Sequence, residues 1–306
     1  MAPLAANLVR RLVLLVLVTL VVASNARSPI AYARQARQCV PGGALTSLPG
    51  LAEASGLAVS RRSPGRLWSH NDSGAPVLFA LDGSGTVKRH VRVTGATVED
   101  WEAIAVGPCE TGSCVYLADI GDNRAGRRQV TIYRIPEPED ASESAAVSGV
   151  FHAVYPDGAH DAEALLIADG RLYIVTKGET GPLAVYRFPA ELQADAPMRL
   201  ERVGGASAKV DRLSRVTDGS VSPDGQWVVL RSRSALEFFP TSDLLAGRWR
   251  ATSTVDVTPL GEPQGEGVAL GPNDTVYLAG EGGGKGRAGT FARFTCAPGS
   301  VDAAVR

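Results

Sequence analysis

The residues in this chain with the clearest chemistry are acids that recur ahead of short apolar runs. Asp100-Trp101-Glu102-Ala103-Ile104-Ala105-Val106 pairs two carboxylates and leads straight into a strand-like stretch. Asp161-Ala162-Glu163-Ala164-Leu165-Leu166-Ile167 is a close copy. Gln264-Gly265-Glu266-Gly267-Val268-Ala269-Leu270 keeps the second acid, and Glu53-Ala54-Ser55-Gly56-Leu57-Ala58-Val59 keeps the first. Asp218-Gly219-Ser220-Val221-Ser222 is the weakest copy. Gathered carboxylates suit a hard cation, above all calcium. One of them can instead work as a base once its neighbours have raised its pKa.

The elements that position these acids follow from their spacing. The anchors fall at residues 55, 102, 163, 218 and 266, in steps of 47, 61, 55 and 48 residues. A period of this size built from short strands is that of a β-propeller. The reading is all-β: five four-stranded blades, with six as the alternative because the two longest steps leave slack. The chain has 34 Gly and 19 Pro, as many strands joined by turns require. No long 3.6-period apolar stripe follows residue 40, which argues against a helical protein. The fifth blade lacks a fourth strand, and the segment from Cys39 to Leu48 can supply it.

In a propeller the innermost strand of each blade lines the channel. The loops before that strand and after the second strand share one face. Residues distant in sequence therefore meet at one mouth. Asp72, Asp100, Glu102, Asp119, Asp122, Asp161, Glu163, Asp218 and Glu266 are the candidate metal ligands. His70, Asn71, Lys177, Arg231, Arg233 and Lys285 are the candidates for binding a small anionic or polar ligand. Asp119, Glu163 and His160 are the candidates for a catalytic base. The competing reading is that inner-strand acids only accept from backbone amides. Under it Asp119-Ile120-Gly121-Asp122-Asn123 is a plain turn, and His70 and His160 are hydrogen-bonded loop histidines. Trp68, Trp101 and Trp227 are expected to pack blades. Residues 137–146 read as an exposed acidic loop.

Composition narrows the partners. The 306 residues are 44% hydrophobic and 21% charged with a net charge of −1, so duplex nucleic acid is not an expected partner. Arg10 and Arg11 precede the apolar run from Leu12 to Ala23, and small-residue cleavage patterns follow. This is the pattern of a secretory signal over residues 1–26, with cleavage as late as residue 33. Residues 27–50 then help close the ring, 51–298 form the propeller, and 299–306 are a tail. A secreted or periplasmic monomer with no membrane span after cleavage is expected; an N-terminal anchor is the alternative. Four cysteines in an exported chain imply disulfides. Cys109 and Cys114 flank a short turn, which leaves Cys39 and Cys296 to join the two ends of the ring.

Glu53-Ala54-Ser55-Gly56-Leu57, Asn71-Asp72-Ser73-Gly74, Asp100-Trp101-Glu102-Ala103-Ile104-Ala105 and Gly265-Glu266-Gly267-Val268-Ala269 resemble the exported bacterial propellers grouped as phytase-like or esterase-like-phytase domains. Ser220-Val221-Ser222-Pro223-Asp224-Gly225 resembles the Ser-Pro-Asp-Gly turn of bacterial propellers. The resemblance covers most of residues 50–295. It implies calcium that holds substrate phosphate, and hence metal-assisted phosphoester hydrolysis. No phytase active-site motif matches residue by residue, and propeller phytases have six blades. A non-catalytic propeller that presents a loop face to an extracellular partner is the competing class.

Overall fold

The computed structural model describes residues 37–179, 181–205, 215–284 and 286–298. Five small sheets follow one another along the chain and form a five-bladed propeller. The first blade runs outward through Ala54–Val59, Arg66–Asn71, Val77–Asp82 and Val87–Thr94. The second uses Trp101–Pro108, Ser113–Asp119, Val130–Pro136 and Gly149–Val154. The third uses Ala162–Ala168, Arg171–Thr176, Ala184–Arg187 and Glu201–Gly205. The fourth uses Val216–Val221, Trp227–Ser232, Ala235–Pro240 and Ser253–Asp256. The fifth uses Gln264–Leu270, Thr275–Glu281 and Gly289–Pro298. Its outermost strand is the N-terminal Arg37–Pro41, antiparallel to Gly289–Pro298, as the missing strand demanded. Cys39 lies opposite Cys296 in that register, and the two are disulfide-bonded. Cys109 and Cys114 form the second disulfide.

The apolar core consists of five clusters, each between two neighbouring blades. Trp68 and Trp101 fill the wedge between the first and second blades, which is the packing role expected of them. Trp227 is half-buried, with the Arg37 guanidinium 4.7 Å from its ring centroid. Near the axis the innermost strands pack on one another around a closed ring. That proximity explains the small residue in each repeat. A Cβ on Gly56 would come within 2.7 Å of the Ile104 nitrogen in the next blade, and one on Gly267 within 2.6 Å of the Ser55 carbonyl oxygen.

Two stretches differ from expectation. Residues 137–146 are more than an exposed loop. Glu137 is buried and accepts hydrogen bonds from the Ser60 and Ser113 hydroxyls and the Trp68 indole N–H. Ser144–Ala146 then pairs in parallel with the outer strand of the first blade. The stretch from Met198 to Gly205, where a four-stranded blade calls for one outer strand, holds two. Met198–Arg199 joins the second blade in parallel and Glu201–Gly205 joins the third. In both places the chain laps back onto the blade before it, through pairings too short to leave a period in the sequence. Lys285, residues 1–36 with the expected signal, residues 299–306 and most of the connection after Gly205 lie outside the described residues.

Candidate functional site

The repeated phrase has a specific backbone meaning. In every blade the pairing of the first and second strands slips at that point. The slips fall between Ala54 and Leu57, Trp101 and Ala103, Ala162 and Ala164, Val216 and Asp218, and Gly265 and Val268. A bulge leaves one residue unpaired and re-aims its side chain. The bulges centre on Glu102 and Glu163 in the second and third blades, on Thr217 in the fourth, and on Ser55-Gly56 and Glu266-Gly267 in the first and fifth. Ser55 and Thr217 behave alike: each hydroxyl donates to the backbone carbonyl of the next blade's anchor, Glu102 and Glu266 respectively, at 3.0 Å. The fourth-blade anchor is therefore Thr217, one residue before the acid that the sequence pointed to.

Four of these anchors, Glu102, Glu163, Thr217 and Glu266, open onto a polar cavity of about 260 Å³ at one end of the channel. Seven carboxylates line it: Asp72, Asp100, Glu102, Glu163, Glu179, Glu266 and Glu281. The described cations on its wall are Lys177, Arg215 and Arg233. Lys177 is the central counter-charge, with its Nζ 2.5 Å from Glu163 Oε1 and 3.5 Å from Asp161 Oδ2. Arg215 is paired with Glu179 at 2.6 Å. The absence of a side chain at Gly121 makes room, since a Cβ there would sit 2.4 Å from Asp100 Oδ2 and 2.7 Å from Glu102 Oε1.

Burial and crowding raise the proton affinity of this group. Desolvation, then the Glu163 charge, pushes the Glu102 carboxyl well above its usual range. Glu163 is pushed up to about 8, chiefly by burial, with Lys177 pulling the other way. Asp72 is pushed up to about 7 by burial and then by Glu53, and Glu281 to about 7 by burial and then by Glu266. Asp100 is raised by burial and then by Asp161, and Glu266 by burial. Several carboxyls in one cavity thus exchange protons near neutrality.

Of the residues singled out in the sequence, Asp72, Asp100, Glu102, Glu163, Lys177, Arg233 and Glu266 line the cavity. Asp161 touches it through Lys177, and its Oδ1 accepts from the Asp122 backbone N–H at 2.8 Å. The others are used elsewhere. Asp119 is buried and accepts from the Glu99 and Asp100 backbone amides and from Arg127, so it fixes the loop that carries Asp100. Asp122 accepts from the Gly126 and Arg127 amides within its turn. Asn71 accepts from the Glu53 amide and donates to the Gly50 carbonyl. His160 contacts Asp157 at 3.0 Å and the Tyr186 hydroxyl at 2.9 Å. His70 is fully buried, edge-on to Trp101, and burial lowers its pKa to about 4.

Arg231 is 0% exposed and donates to the Gly267 and Ala279 carbonyls and to Glu262, which locks the fourth blade to the fifth. Asp218 is also 0% exposed. It accepts the backbone N–H of Gly219, of Val268 in the fifth blade and of Leu57 in the first. The reading of inner-strand acids as backbone acceptors is therefore the one that describes Asp218. Glu179, Arg215, Thr217 and Gln264 line the cavity without having been singled out. Glu179 lies two residues after Lys177 in the same strand-exit loop, and Thr217 carries the hydroxyl that Ser55 carries in the first blade. Those were the available signals. Among the described residues, no three His, Cys, Asp or Glu side chains converge into a set that would hold a metal ion as they stand.

No family model matches the chain, and no curated protein matches it in sequence. Among solved structures it is similar to the PQQ-bound aldose sugar dehydrogenase of Streptomyces coelicolor. That match has 12% identity and a TM-score of 0.50 over 85% of this chain and 98% of that one. A gluconolactonase of Xanthomonas campestris matches at 12% identity and a TM-score of 0.44, over 80% of this chain and 73% of that one. The Cps50 (Swd1) β-propeller domain of Myceliophteria thermophila matches at 12% identity and a TM-score of 0.41, over 79% and 83%. At this identity the likeness extends to the propeller fold alone. The phytase-like resemblance has no family or sequence relative behind it, and what stands of it is the propeller.

Proposed function

We propose that this is an exported propeller that binds a divalent cation, calcium by donor chemistry, together with a small polar ligand at its acidic mouth. The observation that carries the reading is the imbalance, among the described residues, of seven carboxylates against three cations around one polar cavity. Carboxylates held near neutrality by burial release protons readily to an incoming cation, which supplies the missing positive charge. The donors are hard oxygens, as calcium prefers. They do not form a ready-made cage, so the ion would keep part of its water shell. A free anion would meet repulsion here, and Lys177, Arg215 and Arg233 would hold an anionic group only beside the cation. The chemistry open to such a site is hydrolysis of an ester or phosphoester. Glu163, held at about 8 next to Lys177, is the side chain best placed to take a proton from water. Two disulfides fit an oxidising, extracytoplasmic compartment. Among the described residues, no helix is long and apolar enough to cross a membrane.

Calorimetric titration with calcium chloride tests this. Binding is expected at about pH 8 with release of protons, and weaker binding at about pH 6, because protons compete for the same oxygens. The double substitution Glu102→Gln, Glu163→Gln should abolish the heat while leaving the fold intact. Absence of binding heat and of thermal stabilisation at both pH values would reject the cation. A panel of ester and phosphoester substrates, with calcium and with chelator, then separates a hydrolase from a non-catalytic binding propeller.

A further inference from the structure

At the other end of the same channel the inner strands build a second cavity, of about 660 Å³. Four residues beyond each anchor stand Val59, Val106, Ile167, Val221 and Leu270, one from each blade, and all five line it. Four of the five are only half-buried: each packs on an inter-blade cluster with one side and leaves the rest of its surface to the cavity. The rim carries Pro64, Pro223 and Pro272 from three blade turns and Pro108 from the end of an inner strand. Proline fixes φ, so the rim is stiff before anything binds. A volume of this size lies within the usual range for small-molecule sites of ~300–1,000 Å³.

Most polar groups in this wall are already in use. The Ser60 hydroxyl serves Glu137 and the Ser63 amide. Ser220 Oγ accepts from the Leu270 amide, and Ser222 bonds Asp224 and the Trp227 amide. The charged lining residues are Arg61, Asp169 and Asp224, all exposed, and together they favour neither sign strongly. Ser220, which accepts from the Leu270 amide, keeps its O–H to donate, so the interior pairs the aliphatic ring with one hydroxyl. Asp218 separates this cavity from the acidic one: Thr217 lines the first, Gly219 lines the second, and Asp218 between them lines neither.

We propose that this cavity is a second, independent binding site, and that it takes an uncharged, largely aliphatic or alicyclic small molecule. The ring of five aliphatic side chains supplies the contact surface, and burying it drives binding. The site functions whether or not the acidic mouth binds a cation.

The test uses N-phenyl-1-naphthylamine, an uncharged fluorescent probe, with the intact mature protein. One-to-one saturable binding with increased fluorescence is expected, unchanged by calcium or by chelator. Ile167→Trp fills the cavity, and Val221→Glu places a charge on its wall. Each should weaken binding by at least about tenfold while the thermal midpoint and near-ultraviolet circular dichroism show an intact fold. Glu102→Gln, at the opposite mouth, should leave probe affinity unchanged. Lack of saturable binding, or equal binding by wild type and both cavity variants when those are folded, would overturn the proposal. Loss of binding in Glu102→Gln would overturn the independence of the two sites.

Discussion

The two mouths are made by the same five strands, and they have opposite chemistries. The anchors at one end are Ser55, Glu102, Glu163, Thr217 and Glu266; four residues on, at the other end, stand Val59, Val106, Ile167, Val221 and Leu270. The acidic cavity is the smaller, at about 260 Å³ against about 660 Å³, and its wall is mostly charged. The difference teaches where a propeller's constraints lie. Blade packing dictates the small residue just after the anchor in four of the blades, because neighbouring strands touch there. It leaves the two ends of each inner strand free. One end has become a place where charges share protons, and the other a ring of aliphatic side chains.

The sharpest way to break this contrast is to remove what lies between the mouths. Asp218→Leu would strand the backbone N–H groups of Gly219, Val268 and Leu57. A loss of about 3–5 kcal/mol in urea unfolding is expected, and Asp218→Asn, which keeps an acceptor, should cost far less. If Asp218→Leu is as stable as wild type, the carboxylate does not hold the strands together.

A smaller effect should come from the charge balance of the acidic mouth. For a carboxyl whose folded pKa is raised, the folded state holds its proton while the unfolded state loses it. Stability from that source is full below the unfolded value and is lost as pH rises through the folded one. Asp72 and Glu281 at about 7 and Glu163 at about 8, against ordinary values of 3.8 and 4.5, put this loss between about pH 4 and pH 8. His70 acts in the opposite sense. Its pKa falls from 6.5 to about 4, so its neutral buried form costs stability as pH drops through that interval. Lys177→Met should steepen the alkaline loss by removing the cation beside Glu163 and Asp161. It should destabilise by about 1–2 kcal/mol at about pH 8 and less at about pH 6. Equal destabilisation at both pH values would mean that Lys177 is not the counter-charge.

The smallest expected effect sharpens the register. Thr217→Glu places a fourth acid at the anchor position. It should cost about 1 kcal/mol or less near neutrality, from the lost bond to the Glu266 carbonyl and added repulsion. Calcium affinity should rise about tenfold, with probe binding at the apolar mouth unchanged. An unaltered calcium titration would place residue 217 off the ring of anchors.

The blades were legible because packing repeats. A small residue after the anchor, followed by an apolar run, is a pattern that touching inner strands enforce; it holds in four blades, while in the fourth Asp218 follows Thr217. The closure of the ring was legible from a missing strand and two cysteines at opposite ends. The candidate site was legible only in part. Asp218 was read as an anchor because it is an acid in nearly the right place, whereas the bulge selects position by backbone and accepts a threonine. Arg231 was placed at the mouth because it ends a second strand, but its side chain runs sideways between blades to two carbonyls. The short parallel pairings of Ser144–Ala146 and Met198–Arg199 leave no period at all. What repeats can be read; what one blade does for its neighbour cannot.

The N-terminal strand sets an order of events. Arg37–Pro41 is the first described strand that a ribosome would produce, and its partner Gly289–Pro298 is among the last. Four blades can form while synthesis continues, but the first strand must wait with its edge unpaired until the final blade arrives. Non-local closure of this kind is slow and leaves strands exposed meanwhile. A chain truncated before Gly289 would therefore lose more than its end. It would leave Cys39 without its partner and the ring open on both sides. Completion of the fold is in this way a check that the chain has been made through its last blade strand.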